Sequence, residues 1–173
     1  MYNFHYGVMQ KAFRKAQLLY TDTDSFVYNI ETKDVYKTMG KISTFFDASN
    51  YPETHPSYSI ANKKVVGKFK DEEGGKIISE FVGLRSKLYS YQVDGKEVKK
   101  CKGIKKGVIE NQISHDEYKQ VLMEKSKVEK EMTVIRSRDH AIHTETMTKI
   151  ALSGDDDKRI ILDDGISTHA IGF

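Results

Sequence analysis

Two aspartates separated by one residue, Asp22 and Asp24, are the side chains of this chain best suited to chemistry. Mg²⁺ prefers oxygen ligands and usually takes one or two protein carboxylates, while phosphate oxygens and water complete its shell. In two-metal phosphoryl transfer, one ion activates the attacking hydroxyl group and the other stabilises the leaving oxygen. The pair therefore predicts a site that presents a metal to a phosphate substrate. The alternative is an ordinary turn, because Asp also bonds to its own backbone in turns.

The aspartates lie in a short polar segment between two apolar, β-prone runs within residues 17–30. Two such runs around a short turn are typical of a β-hairpin, so we expect the acidic residues at a hairpin tip. Rigid strands would then hold the two carboxylates at a fixed separation.

The elements around this hairpin are predicted from apolar spacing. Tyr2, Phe4, Val8 and Phe13 favour an amphipathic helix before the hairpin, and residues 34–46 favour another after it. Residues 47–56 contain both prolines and predict a surface loop. From about residue 64 to 109 we expect a small antiparallel sheet, with strands at 65–66 and 77–78 on either side of a turn and an Asp94-Gly95 turn further on.

The C-terminal third begins with a capping box, Ser114-His-Asp-Glu117, which predicts a helix that runs to about Lys125. Residues 154–157 are expected to form a loop, and residues 159–162 a short strand or a helix start. The fold class is therefore predicted to be α+β: an N-terminal helix, the acidic hairpin, a small antiparallel sheet and a mainly helical C-terminal lobe. The predicted domains are residues 1–110 and residues 111–173.

Basic residues are concentrated between Arg85 and Lys106. This segment contains eight basic and two acidic residues, although the whole chain has a net charge of only +3. Lysines interleaved with Tyr89 and Tyr91 suit a surface that follows a phosphate backbone, because neutralised phosphates release counterions. The alternative is a solvated edge hairpin whose lysines discourage aggregation.

Composition narrows the class of protein. The 173 residues contain one cysteine, Cys101, so an internal disulfide and a cysteine-pair zinc ribbon are excluded and an intracellular location is expected. No run approaches the roughly 20 apolar residues that a membrane span needs, and the first residues lack the order of a signal peptide. We therefore expect no membrane partner.

The segment Tyr20-Thr-Asp-Thr-Asp-Ser25 resembles the Tyr-x-Asp-Thr-Asp-Ser signature of family B DNA polymerases, their third palm motif. Further along, Ser86-Lys-Leu-Tyr89 resembles the Lys-x-Tyr motif of that family near the palm–thumb junction, and Lys102-Gly-Ile-Lys105 resembles the segment that opens the thumb. The order and spacing of the three segments fit the family.

The resemblance is greater to the protein-primed branch, especially to polymerases of Maverick/Polinton-type transposons and related viruses. It rests on less specific segments across nearly the whole chain: Gly67-Lys-Phe-Lys-Asp-Glu72, Phe81-Val-Gly-Leu-Arg85, Asp156-Asp-Lys-Arg159 and Asp163-Asp-Gly-Ile-Ser167. It implies that residues 1–110 are the end of a palm domain, including the acidic hairpin, and residues 111–173 a thumb-like subdomain. A eukaryotic transposon would place the protein in the nucleus.

The resemblance also implies roles. Asp24 would be the principal Mg²⁺ ligand, and Asp22 a second carboxylate that tunes the site. Tyr20 and Ser25 would support the hairpin and the primer terminus, and Lys87 and Tyr89 would contact the primer–template. The remaining DNA contacts would come from basic residues nearby: Arg85, Lys102, Lys105 and Lys106. The partners would be primer–template DNA, a deoxynucleoside triphosphate and, in this branch, a terminal priming protein.

Some motifs of the family are absent from the sequence. The first palm motif, which supplies the other metal-binding Asp of the two-metal site, is missing, as is the fingers motif that grips the triphosphate, so the nucleotide-binding residues are unknown. We expect a C-terminal fragment of a DNA-directed DNA polymerase that is inactive alone. Two alternatives stay open: a non-catalytic DNA-binding module derived from a polymerase, and a metal-dependent nuclease that uses Asp22 and Asp24. An upstream reading frame with the missing motifs would favour the polymerase.

Overall fold

The computed structural model describes residues 1–155 and 159–170. The chain forms two compact units, Met1–Ile77 and Ile78–Phe173, and each unit has its own apolar core. Helices and small antiparallel sheets occur together, so the predicted α+β class is confirmed. The predicted domain boundary after residue 110 falls inside the second unit.

The first unit begins with the predicted helix, which is π-helical over Asn3–Met9 and continues as α1 (Gln10–Ala12). The acidic hairpin follows as predicted, with β1 (Ala16–Asp22) antiparallel to β2 (Ser25–Ile30). Helix α2 (Val35–Lys41) comes next and ends before a 3₁₀ turn at Ser43–Phe45.

The core of this unit explains why these elements form. Phe4, Val8, Met9 and Phe13 are buried on one side of the N-terminal helix, and apolar side chains of β2 and α2 pack against them. The helix therefore buries its apolar side against the hairpin rather than depending on helix propensity, which Gly7 weakens.

The strand predicted at residues 65–66 is wrong, because Val65 belongs to no strand and Val66 lies in a turn. Val66 is 98% exposed, and positive φ angles at Lys64 (59°) and Gly67 (83°) break the extended backbone on either side. The surface loop predicted at residues 47–56 is only partly at the surface, because Asp47 and Tyr51 are buried.

The second unit contains the predicted antiparallel sheet, with β3 (Ile78–Arg85), β4 (Leu88–Val93) and β5 (Lys96–Cys101) in that order. The Asp94-Gly95 turn is confirmed, with φ angles of 49° and 71° that suit a two-residue hairpin. Helices α3 (Lys106–Gln112) and α4 (His115–Glu124) follow, and the predicted capping box starts α4.

The prediction of a mainly helical C-terminal lobe is wrong. After α4 the chain forms a long hairpin, β6 (Lys127–Arg138) with β7 (Ala141–Ser153), and a short one, β8 (Arg159–Ile161) with β9 (Thr168–Ala170). The physical reason lies in the turn: Asp139 and His140 both have positive φ, at 50° and 63°, which matches the twist of two paired strands. Many β-branched residues in both strands favour the same extended backbone.

The core of the second unit joins the sheet, α4 and the base of the long hairpin. Tyr118, Val121 and Leu152 are fully buried there, and Leu88 of β4 is buried beside them. The outer half of the hairpin lies outside this core, since Ile135 and Ile142 are 71% and 78% exposed. Among the described residues, no helix is long and apolar enough to cross a membrane.

Candidate functional site: the acidic hairpin tip and the basic sheet end

The acidic residues form the tip of the first hairpin. Asp22 pairs directly with Ser25, so Thr23 and Asp24 make a two-residue turn. The N–H of Asp24 donates to the carbonyl oxygen of Asp22 at 2.7 Å, and the Ser25 hydroxyl donates to the same oxygen at 3.1 Å. Asp24 is exposed and Asp22 is half-buried, so the turn presents acidic side chains at the surface.

Thr23 gives this turn an unusual backbone. Its φ of 54° lies in the left-handed region, which β-branched residues rarely adopt. Its hydroxyl donates to Oδ1 of Asp22 at 3.1 Å and so orients that carboxylate. Strained backbone of this kind persists only where the surrounding structure holds it, and it is frequent at functional sites.

Contacts between β2 and the core of the first unit hold the hairpin in place. The Tyr28 hydroxyl contacts Nδ1 of the buried His5 at 2.9 Å, and burial raises the pKa of Tyr28 to about 12. The Phe26 ring stacks against Phe4 and Phe69, with centroids 6.1 and 5.9 Å apart. Strand β2 is therefore fixed to the core, and it fixes the position of the tip.

The tip residues suit a hard divalent cation. Asp22 and Asp24 offer carboxylate oxygens, which Mg²⁺ prefers, and two carboxylates supply part of an octahedral shell. Tyr20 lies two residues before Asp22 on β1, is half-buried and belongs to the same strand end. Within residues 1–155 and 159–170, no group of three or more His, Cys, Asp or Glu side chains is arranged to hold a metal ion.

The predicted DNA-contacting lysines meet at one end of the sheet in the second unit. Lys87 lies in the two-residue turn between β3 and β4, with a φ of 61°, and its carbonyl accepts from the N–H of Lys102 at 3.1 Å. Lys105 and Lys106 follow at the start of α3. All four side chains are exposed, and we call these four residues the basic sheet end.

Tyr89 and Arg85 have more buried surroundings. The Tyr89 ring stacks against both Phe81 and Tyr91 on the sheet, at centroid distances of 5.8 and 6.3 Å. Arg85 is half-buried and lies near the buried Cys101. Burial raises the pKa of the Cys101 thiol to about 11, and the positive charge of Arg85 opposes that rise. Arg85 therefore lies beside the core, and its contact with DNA stays a prediction.

Lys99 belongs to the basic stretch in sequence but has a different environment. Its side chain is 12% exposed and pairs with Glu97 at 3.3 Å. Its ammonium group donates to the carbonyl oxygens of Ile113 at 2.5 Å and Glu110 at 3.4 Å, where α3 ends. The charge of Lys99 thus stabilises the C-terminus of a helix.

Sequence reasoning missed two features whose residues come together only in the fold. One is a buried contact of 2.9 Å between Nδ1 of His115 and the Ser90 hydroxyl, with Glu80 Oε2 3.3 Å from Nε2 of the same ring. The other is a cavity in the first unit between α2 and residues 56–62. Both join residues that are distant in sequence, so no short motif announces them.

The chain matches no protein-family model, no curated protein and no solved structure. The functional argument therefore rests on the two groups of residues described above. Of the segments that resemble the polymerases, 156–158 lie outside the described residues, whereas 163–167 form the turn between β8 and β9, where Asp164 accepts from the N–H groups of Ile166 and Ser167.

Proposed function

We propose that the chain is the C-terminal palm and thumb part of a family B DNA polymerase of the protein-primed branch. The observation that carries this proposal is the geometry of Tyr20-Thr-Asp-Thr-Asp-Ser25: a two-residue turn on an anchored hairpin, with Asp24 exposed and Asp22 oriented by Thr23. An ordinary turn needs neither two carboxylates nor a strained backbone at Thr23.

In this function the chain supplies part of a nucleotidyl-transfer site. The reaction is attack of a primer 3′-hydroxyl on the α-phosphate of a deoxynucleoside triphosphate, with release of pyrophosphate. Mg²⁺, when bound, activates the hydroxyl and stabilises the leaving oxygen. Asp24 and Asp22 would hold it, together with an Asp that this chain lacks. Ser25 and Thr23 keep the turn closed and Asp22 oriented.

The basic sheet end supports the second half of the proposal. Its four exposed lysines are point charges suited to phosphates, and phosphate contacts position a protein on DNA without reading the base sequence. A polymerase takes sequence information from its template, so binding to the DNA backbone alone is the expected mode. Such binding weakens steeply with salt, because each phosphate contact releases counterions.

Fluorescence anisotropy with a labelled duplex that has a recessed 3′ end tests this binding. We expect the Lys87→Glu/Lys102→Glu double variant to lose at least about tenfold in affinity, and the slope of log K against log salt to fall by about 2. Lys96→Glu reverses one charge at the opposite end of β5, where Lys96 is exposed, and as the control it should cost much less than half of what the double variant costs. Equal losses in both variants, or binding that is indifferent to salt, would contradict the proposal.

Activity assays separate the proposal from the nuclease alternative. The purified chain alone should incorporate no labelled nucleotide into a primer–template and should not nick plasmid DNA in the presence of Mg²⁺. Nicking that is lost in Asp24→Asn would favour the nuclease. Incorporation lost in the same variant would show that the chain is active by itself, contrary to our expectation.

A further inference from the structure

A cavity of about 520 Å³ lies within the first unit, away from the residues assigned a function above. It is formed by the end of α2, the 3₁₀ turn at Ser43–Phe45 and the turns that follow. Its volume falls in the range typical of small-molecule sites, which is about 300–1,000 Å³. The cavity is therefore large enough for a ligand of one or two fused rings.

Hydrogen bonds hold the walls of the cavity in place. The Asn62 amide donates to the carbonyl oxygens of Ser43 and Phe46 at 3.2 and 2.8 Å. The buried Asp47 carboxylate accepts from the N–H groups of Ser49 and Lys64 at 3.0 and 3.1 Å. These contacts tie the two ends of the loop to the 3₁₀ turn, so the cavity is formed before any ligand enters.

The lining separates into an apolar part and a polar part. Rings and apolar side chains form most of the wall, including Phe46, Tyr51, Pro56 and Tyr58. The buried Tyr51 is held edge-on by Tyr36, with ring centroids 5.9 Å apart. Flat aromatic walls of this kind favour a flat aromatic ligand.

Lys68 supplies the charge. Among the described residues that line the cavity, it is the one with a charged side chain. Its ammonium group donates to the Thr44 carbonyl at 2.6 Å, which fixes its position. An ammonium group carries three donors, so two remain for a ligand. Ser43, Thr44 and Ser57 line the same cavity and are residues with neutral hydrogen-bonding side chains.

We propose that this cavity binds a small aromatic anion, with its ring against Phe46, Tyr51 and Tyr58 and its single anionic group at Lys68. The site is independent of the polymerase proposal, because it shares no residue with the acidic hairpin tip or the basic sheet end.

An NMR titration of the ¹⁵N-labelled full chain with 2-naphthoate tests the site, and 2-naphthylmethanol serves as the neutral analogue. We expect saturable shifts at amides in residues 39–68, and tighter binding of the carboxylate than of the alcohol. Lys68→Met should weaken naphthoate binding about tenfold, because a hydrogen bond to a charged group is lost. It should leave naphthylmethanol binding within about twofold, and Lys68→Arg should restore naphthoate binding. Lys41→Met is the matched control, since this exposed lysine of α2 lies outside the cavity wall.

Gly40→Leu tests the cavity without threatening the fold. A Cβ atom at Gly40 meets no heavy atom within 4 Å, and Gly40 both lines the cavity and lies within α2, where Gly costs stability. We expect both probes to bind at least about tenfold more weakly, while the urea midpoint stays equal or rises. Shifts spread over both units, no saturation up to the solubility limit, or equal effects of Lys68→Met on both probes would overturn the proposal.

Discussion

The N–H of Asp24 donates to the carbonyl oxygen of Asp22 at 2.7 Å, and this bond spans Thr23 within the two-residue acidic turn. The contact resembles a γ-turn with a positive φ at its central residue, a rare and strained form. The strain therefore lies at the residue between the two aspartates, and strained backbone of this kind clusters at functional sites.

Replacing Thr23 with Gly should stabilise the first unit. Gly adopts a positive φ without the left-handed cost of roughly 1–2 kcal/mol, and its greater freedom in the unfolded chain offsets about half of that gain. We expect the free energy of unfolding in urea to rise by roughly 0.5–1 kcal/mol.

Thr21→Gly is the control for this change, because Thr21 lies within β1 and lacks a positive φ. It should lower the free energy of unfolding by about 1 kcal/mol. A loss of stability in both variants would show that the Thr23 backbone is not strained.

Side-chain truncation should destabilise the protein strongly at the base of the long hairpin and hardly at all near its tip. Leu152 is fully buried at the base, so Leu152→Ala should lower the free energy of unfolding by about 3–5 kcal/mol. Ile142 is 78% exposed near the tip, and Ile142→Ala should change it by less than about 0.5 kcal/mol. Equal effects in urea denaturation would contradict the position of β7, and with it the correction of the helical prediction for this region.

The buried Asp47 should make the first unit sensitive to acid. Hydrogen bonds from Ser49, backbone N–H groups and Lys70 hold the pKa of its carboxyl well below the ordinary range, although burial opposes them. Because the folded pKa lies below the unfolded value, the stabilisation is complete above an unfolded pKa of about 4 and is lost as pH falls further.

Asp47→Asn should therefore lower the urea midpoint at about pH 6 and flatten its fall towards about pH 3. Glu53→Gln is the matched control, since Glu53 is an exposed acid in the same loop. An unchanged acid profile in Asp47→Asn would disprove the role of this carboxylate.

Lys99 and Lys102 should separate stability from DNA binding. Lys99→Met removes the charged donor from the end of α3, so it should lower the free energy of unfolding by about 1–2 kcal/mol. Lys102→Met should leave stability within about 0.5 kcal/mol and weaken DNA binding instead. Urea denaturation and anisotropy on both variants check this, and a reversed pattern would show that the basic sheet end is misassigned.

Local patterns predicted part of this fold because their causes are local. The β-hairpin around Asp22 and Asp24 follows from two apolar runs on either side of a short polar segment, and α4 follows from the capping box of Ser114 and Glu117. The turn at Asp94 follows from the Asp-Gly preference for positive φ.

The wrong predictions fall where contacts between distant residues, or unusual backbone angles, determine the secondary structure. Val65 and Val66 are β-prone, yet positive φ angles at Lys64 and Gly67 break the extended backbone on either side of them. The helical prediction for the tail rests on the capping-box helix and the thumb resemblance, whereas the turn of the long hairpin, Asp139-His140, contains no glycine that would indicate a hairpin. Lys99 and Lys102 have different environments because Lys99 reaches the end of α3. A count of charges along the sequence does not show where that helix ends.

The most direct test of the central claim is a titration of the ¹⁵N-labelled chain with Mn²⁺, a paramagnetic substitute for Mg²⁺. If the acidic turn holds a divalent cation, amide signals of residues 20–26 broaden first and saturably. The broadening is then weakened by Asp22→Asn, weakened more by Asp24→Asn, abolished by the double variant, and unaffected by Asp139→Asn in the tip of the long hairpin. Broadening that is equal at the Asp139 turn, or that survives in the double variant, would contradict a metal site at Asp22 and Asp24.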